Sequence, residues 1–237
     1  MIYLYCGDVL DFFDNYCINN LNMIITDPPF VISNKKNVTN KWNGYTSFKG
    51  DWDVVVSNKW VRLCCESLIE GGIFCSFGLF GNLANIYFVL EQLNYMQFLA
   101  HPIWEKVNPA PSIHRRIYVN AVEFILIYSK GGNWTFNYEI AKELSSNKQM
   151  KNVWKAPVVK RILGRSRKHR SILNNLMLTL TNVGDVILDP FCGSGSIIES
   201  VVENGRIAIG VDNDSVVLED LKRRLEERDY EVQLCYL

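Results

Sequence analysis

Histidine is scarce in this chain, with three in 237 residues at positions 101, 114 and 169. They stand far apart, which argues against a structural zinc site. The seven cysteines form no C-x-x-C pair. Their odd number, with no secretion signal at the N-terminus, points to free thiols in a reducing cytosol and so to a cytoplasmic protein. Lys plus Arg (25) balance Asp plus Glu (25), so no global field announces a nucleic-acid partner and any such signal must be local. No apolar run approaches the length of a membrane span, so no membrane partner is expected. There is no internal repeat, no low-complexity tract and no Gly-x-x-x-x-Gly-Lys phosphate loop. What remains is 48% hydrophobic and 21% charged, ordinary globular usage at a length suited to one large domain or a domain with an insertion.

The most informative stretch is residues 23–30, MIITDPPF. Met23, Ile24, Ile25 and Thr26 read as a short buried strand. Asp27, Pro28, Pro29 and Phe30 cannot continue it, because proline fixes φ and lacks an N–H. The strand therefore ends in a rigid corner carrying a carboxylate, a free carbonyl and a ring. In an open α/β sheet, ligands bind at the carboxyl ends of strands.

In chain order, residues 2–6 read as a strand ended by Gly7-Asp8, and residues 9–16 as a short helix. Residues 31–51 are polar, aperiodic and long for a loop in a compact domain, which suggests a flap over the site. Residues 52–70 carry apolar side chains at helical spacing, with Gly71-Gly72 as the stop. A strand over 73–77, a helix over 82–93 and an antiparallel pair over 96–104 and 121–128 follow. Residues 131–170 are polar and one-signed. Lys142, Lys148, Lys151, Lys155, Lys160, Arg161, Arg165, Arg167, Lys168 and Arg170 face only Glu139 and Glu143, with Trp134, Phe136, Tyr138 and Trp154 interleaved. Such density suits phosphate contacts, and Trp or Arg could reach base edges.

After a helix over 172–180 comes the stretch 185–196, DVILDPFCGSGS. An apolar strand meets a Gly-x-Gly turn that opens a helix over 197–203, and a second strand over 206–211 ends in Asp212, about twenty residues on. The glycines let backbone approach a ligand, and the acid can bind ribose hydroxyls. A nicotinamide fingerprint would want a third glycine where Ile198 stands. A charged amphipathic helix over 215–228 and a strand over 231–236 complete the chain.

LDPFCGSGS resembles the S-adenosylmethionine motif of the DNA amino-methyltransferases (D-P-F-x-G-S-G-T/S), and DPPF resembles their D-P-P-Y/F motif. The catalytic motif precedes the cofactor motif with a basic segment between, which is the permuted order of the β-group of that family. The resemblance covers nearly the whole chain and implies a Rossmann-like α/β methyltransferase with a mixed seven-stranded sheet, helices on both faces and a small basic insert. It implies a catalytic part over 1–130, a target-recognition insert over 131–168 and a cofactor part over 169–237. The cofactor implied is S-adenosyl-L-methionine, with Asp8 near its adenine, Asp212 at the ribose, Gly193, Ser194 and Gly195 approaching the methionine part, and Asp189, Pro190, Phe191 and Asn213 also binding it. Asp27 and the Pro28 carbonyl would accept hydrogen bonds from an amino group whose lone pair is delocalised into the base, localising it for attack on a methyl sulfonium. Phe30 would stack on the base.

The implied partner is DNA, contacted by Lys106, Arg115, Arg116, Lys151, Lys155, Arg165, Arg167, Lys168 and His169; a homodimer is compatible with the sequence. Residues 104–111 match a W-x-K-x-N-x-x-P segment that relatives carry beside the target-base pocket. One departure stands out: the family's H-P-x-Q-K-P before the cofactor motif is replaced by Arg165-Ser166-Arg167-Lys168-His169-Arg170, with Lys168 or His169 as its substitute. Aspartate in DPPF favours adenine N6 as the target, with cytosine N4 the alternative. From a different class, a non-catalytic nucleic-acid-binding relative is the other reading, against which the intact Asp27 and glycine turn argue.

Overall fold

A computed structural model describes residues 1–29, 58–112 and 115–237. Phe30, His114 and the expected flap over 31–51 lie outside the described residues. The chain opens with β1 (Ile2–Cys6), α1 (Val9–Asn15) and β2 (Leu21–Thr26), followed by α2 (Lys59–Ser67), β3 (Leu68–Gly78) and α3 (Phe80–Glu91). Then come β4 (Met96–Ala100), β5 (Ile103–Lys106), β6 (Val122–Lys130), α4 (Tyr138–Leu144) and β7 (Val153–Ala156). The last third alternates: α5 (Arg170–Leu180), β8 (Val186–Asp189), α6 (Ser196–Glu203), β9 (Ile207–Asp212), α7 (Ser215–Glu226) and β10 (Val232–Tyr236).

Among the described residues every strand joins one sheet, in the order β10-β1-β9-β8-β2-β3-β6-β5-β7, with β4 also on β6. The strands from β10 to β3 run parallel, and β6 runs against β3, β4 and β5. Continuous apolar runs such as Met23-Ile24-Ile25 suit strands buried on both faces. One core cluster packs Leu173, Leu176, Ile197, Val201, Leu218 and Leu221 of α5 to α7 on one face of the sheet. The other packs Phe12, Trp60, Val61, Leu83 and Ile86 of α1 to α3 on the opposite face.

Among the described residues the sheet has ten strands, more than the expected seven. Pro102 accounts for part of the difference. It has no ladder N–H to give, so the expected strand over 96–104 breaks into β4 and β5, both antiparallel to β6. The basic segment also supplies β7, which extends the sheet by parallel pairing with β5. A second correction concerns the helix expected to run to Glu70. Its described part ends at Ser67, Leu68 turns extended (ψ 145°) and β3 runs on through both glycines. Between Leu21↔Leu68 and Met23↔Ile73 the register shifts. Gly71, at φ +77°, takes the left-handed conformation this irregularity requires, so the glycines mark a bulge within a strand rather than a helix stop.

The topology reverses between β2 and β8. From β2 the chain builds outward to β3 and β6; from β8 it builds the other way, to β9 and then past β1 to β10. Such a switch point opens a crevice at the carboxyl ends of the two strands. Asp27 immediately follows one of them, and Asp189 is the last residue of the other.

Candidate active site

Across the carboxyl edge of the sheet the acids Asp8, Asp212, Asp189 and Asp27 end or follow β1, β9, β8 and β2, four neighbouring strands about 4.8 Å apart. The turn after β8 is built on positive-φ glycines. Gly193 (φ +46°) is not crowded: a Cβ there would meet only Asp212 Oδ2 and the Phe191 carbonyl, each at 3.9 Å among the described residues. Gly195 (φ +77°) is fixed for the opposite reason: a Cβ there would come within 2.2 Å of Leu221. One glycine leaves the turn open to a ligand, and the other lets α6 seat against α7. Asp212 anchors the turn, its Oδ2 accepting from the Gly193 amide (2.8 Å) and its Oδ1 from the Asp214 amide (3.0 Å). A carboxylate offers about four lone-pair positions, so capacity remains for hydroxyl donors. Asn213 is exposed beside it, Pro190 is buried and Phe191 meets Trp60 edge-on at 5.0 Å. Asp8 is exposed and caps α1 by accepting from the Leu10 amide at 2.7 Å.

Asp189 is almost fully buried, and its Oδ1 accepts from the Phe191 amide at 3.1 Å. Burial pushes its carboxyl up to about 8, opposed by that amide and the Thr26 hydroxyl and reinforced by the charges of Asp27 and Asp212. Asp27 sits in a largely buried chain of alternating charge. Lys168 Nζ lies 2.6 Å from Asp27 Oδ2 and 2.5 Å from Glu123 Oε1, and Lys106 Nζ lies 3.0 Å from Glu123 Oε2. The Phe77 ring lies 5.1 Å from the Lys168 ammonium. Burial raises the Asp27 carboxyl above its usual range, with Lys168 the largest opposing influence. Glu123 is held below its usual range: burial would raise it, but Lys168 and Lys106 together prevail. Asp27 Oδ1 is buried and has no hydrogen-bond partner among the described residues.

The residues read from sequence as DNA contacts divide. Arg115, Arg116, Lys151 and Lys155 are exposed. Lys168 is not: its side chain is 4% exposed and tied to Asp27, which removes it from the phosphate-facing set. Lys106 is likewise engaged, paired with Glu123. Arg165 pairs with Asp214 at 2.8 Å, and Arg167 pairs with Glu199. His169 caps α5, its Nδ1 accepting from the Ser171 amide at 3.2 Å. The segment 165–170 is thus laid over the glycine turn, where Ser194 Oγ donates to the Ser166 carbonyl (2.9 Å) and the Lys168 amide donates to Ser196 Oγ (3.2 Å). The acids that hold this segment are far away in sequence, so charge density alone could not separate inward from outward cations. Trp134 and Trp154 are partly buried and pack against the core.

Glu123 was missed. Its signal was a lone acid inside the apolar run of β6, where a charge is kept only with a partner. Among the described residues no cluster of His, Cys, Asp or Glu is arranged to hold a metal, and no helix is long and apolar enough to cross a membrane.

Comparison with known proteins shows the family. A family profile for DNA methylases matches residues 21–223. The type II methyltransferase M2.DpnII of Streptococcus pneumoniae is 33% identical, over 93% of this chain and 88% of its own length. The type II methyltransferase M2.LlaDCHI of Lactococcus lactis subsp. cremoris is 32% identical, over 88% and 83%. Among solved structures, that of M1.HpyAVI with its bound SAM has the same fold, with a TM-score of 0.72 at 23% identity over 95% of this chain and all of that one. With the glycine turn, the acid-ended strands and the Asp-Pro-Pro corner on one crevice, and the profile spanning most of its length, the chain belongs to the DNA methylase family of amino-methyltransferases.

Proposed function

We propose that this chain transfers the methyl group of S-adenosylmethionine to the N6 amino group of adenine in DNA. The observation that carries the reading is the state of Asp27. One of its oxygens is held by Lys168, and the other is buried at the switch point without a donor among the described residues. An unfilled buried acceptor costs roughly 1–3 kcal/mol, and a ligand amino group supplies what it lacks. The residues suit the cofactor. The Gly193 peptide stands open, Asp212 keeps acceptor capacity for ribose hydroxyls, and Asp8 follows the neighbouring strand. When bound, the cofactor supplies a methyl group activated by its sulfonium charge.

The protein's part is orientation and charge. The target base leaves the stack, because its amino nitrogen is out of reach in the duplex. Asp27 Oδ1 and the Pro28 carbonyl then accept the two amino hydrogens, localising the nitrogen lone pair toward the methyl group. These bonds strengthen as positive charge develops on nitrogen, so they act on rate more than on binding. Phe30, outside the described residues, has the stacking role in this reading. Outward cations from the segment 131–168, with Arg115 and Arg116, face the phosphates. Lys148, Lys151 and Lys155 line an open groove of about 390 Å³ with Trp154. The family and the type II relatives support the reading, as does the Asp of the corner. Phe80, Tyr87 and Phe88, all exposed on α3, support a homodimer, and the seven unpaired thiols suit a cytoplasmic setting.

The test is incubation with DNA and labelled cofactor, followed by nucleoside identification. N6-methyladenine is expected; N4-methylcytosine would move the target to the other amino base, and no labelled nucleoside would leave a DNA-binding relative.

A further inference from the structure

Base recognition by Asp27 does not by itself require a lysine from a distant segment to be buried against it. Lys168 bridges two carboxylates at 2.6 and 2.5 Å from a site that water scarcely reaches. Its backbone is clamped at the same time. The Lys168 amide donates to Ser196 Oγ, and the Ser166 carbonyl accepts from Ser194 Oγ, both serines belonging to the glycine turn and the start of α6. One residue therefore joins the turn that suits the cofactor to the acid that suits the base.

We propose that Lys168 is a positioning residue for methyl transfer: its ammonium holds the Asp27 carboxylate ionised, with Oδ1 turned to the incoming amino group. The inference rests on the role given to Asp27 above. The groups facing Asp27 are Lys168 from the segment before α5, Glu123 from β6, Lys106 from β5 and Asp189 from β8. Take away the Lys168 charge, and Asp27 is left in a largely buried site beside the Glu123 carboxylate, with Lys106 the one opposing cation among the described residues. An acid so placed keeps its proton, because burial and like charge both disfavour ionisation. A protonated Asp27 offers the amino group no anionic acceptor. Glu123 has the opposite influence, since it draws part of the Lys168 field to itself and adds a negative charge of its own. The two partners should therefore move the activity in opposite directions along the pH axis.

The experiment is single-turnover methyl transfer to DNA across pH, for the full chain and four variants. Lys168→Met should slow transfer tenfold or more at neutral pH and move the acid limb of the rate profile upward by about 1–3 pH units, the usual effect of one close charge. Its rate should recover toward alkaline pH. Lys168→Arg, which keeps the charge, should restore much of the neutral rate and most of the limb position. Glu123→Gln should move the limb downward. A Lys168→Met loss that is the same at every pH, or no loss, overturns the inference. If Lys168→Met does not fold, a Glu123→Gln limb that stays in place or rises overturns it instead. Asp27→Ala separates the two levels. If it is inert while the Lys168→Met profile keeps its shape, only the positioning role falls; if it is active, the role of Asp27 falls and this inference with it.

Discussion

Replacing Asp27 by alanine removes a buried acceptor, Oδ1, and one negative charge from a largely enclosed site. Two consequences can be separated. The first is structural. Lys168, with a side chain only 4% exposed, loses its partner at 2.6 Å but keeps Glu123 at 2.5 Å. Breaking a buried pair outright costs about 3–5 kcal/mol. The remaining carboxylate offsets part of that, so a loss of roughly 1–3 kcal/mol in folding stability is expected. The second consequence is on rate. A preorganised group facing charge that develops in the transition state is worth about 10²–10³ in rate, so Asp27→Ala should lose at least that in single-turnover methyl transfer. S-adenosylmethionine affinity should change little, because the glycine turn and Asp212 stand on neighbouring strands and are untouched. Asp27→Asn keeps an acceptor oxygen but sets a neutral amide against the Lys168 ammonium, and should fall between wild type and alanine. The assay is transfer of labelled methyl to DNA at saturating cofactor, beside a calorimetric titration of cofactor and a urea melt of each variant. Wild-type rates from a folded Asp27→Ala protein would refute the mechanism.

The same geometry sets three further outcomes. Asp212→Ala takes the acceptor from the Gly193 amide as well as from any ribose hydroxyl, and should weaken cofactor binding by roughly 1–3 kcal/mol; unchanged calorimetric affinity would remove Asp212 from the site. Lys148, Lys151 and Lys155 changed together to glutamine should flatten the salt dependence of DNA binding by about one unit of slope for each phosphate no longer neutralised, and an unaltered slope would place DNA elsewhere. Burial raises the folded-state Asp189 carboxyl to about 8, so the folded protein holds a proton that the unfolded chain has already released. Its contribution therefore turns increasingly unfavourable between about pH 4 and pH 8. Asp189→Asn lacks this titration, so its stability advantage over wild type in urea should widen with rising pH across that window, toward an upper bound of roughly 5 kcal/mol; a gap that stays level with pH would contradict the buried, proton-holding state.

Where local chemistry decides a structure, this sequence is legible. Residues 2–6, 23–26 and 186–189 are strands because β-branched and large apolar side chains run without interruption into a Gly or Pro stop. The turn after Asp189 is legible because two positions there need positive φ and carry glycine. Gly71 and Gly72 show the limit. A glycine pair after an amphipathic run reads as a helix stop, but pairing of Leu68 with Leu21 draws the chain into the sheet ahead of both glycines, and no local signal records a partner so distant in sequence. The basic segment shows the same limit for function. Its cations look alike in sequence, yet Arg165, Arg167 and Lys168 turn inward to Asp214, Glu199 and Asp27, whereas Lys151 and Lys155 stay at the surface.

That division bears on the segment 165–170, which departs from the family's usual wording. A loop laid over the glycine turn must satisfy the carboxylates already there, and each cation in it has one within reach. Arg165 takes Asp214 at the start of α7, Arg167 takes Glu199 in the first turn of α6, and Lys168 passes beneath to Asp27 and Glu123. Even His169, with Nδ1 on the Ser171 amide, is occupied in starting α5. The spacing of the charges, not the identity of the intervening residues, brings the glycine turn, the basic segment and Asp27 to one place. Substitutions at Ser166, whose contact is through its backbone carbonyl, should accordingly be tolerated far better than loss of charge two residues on.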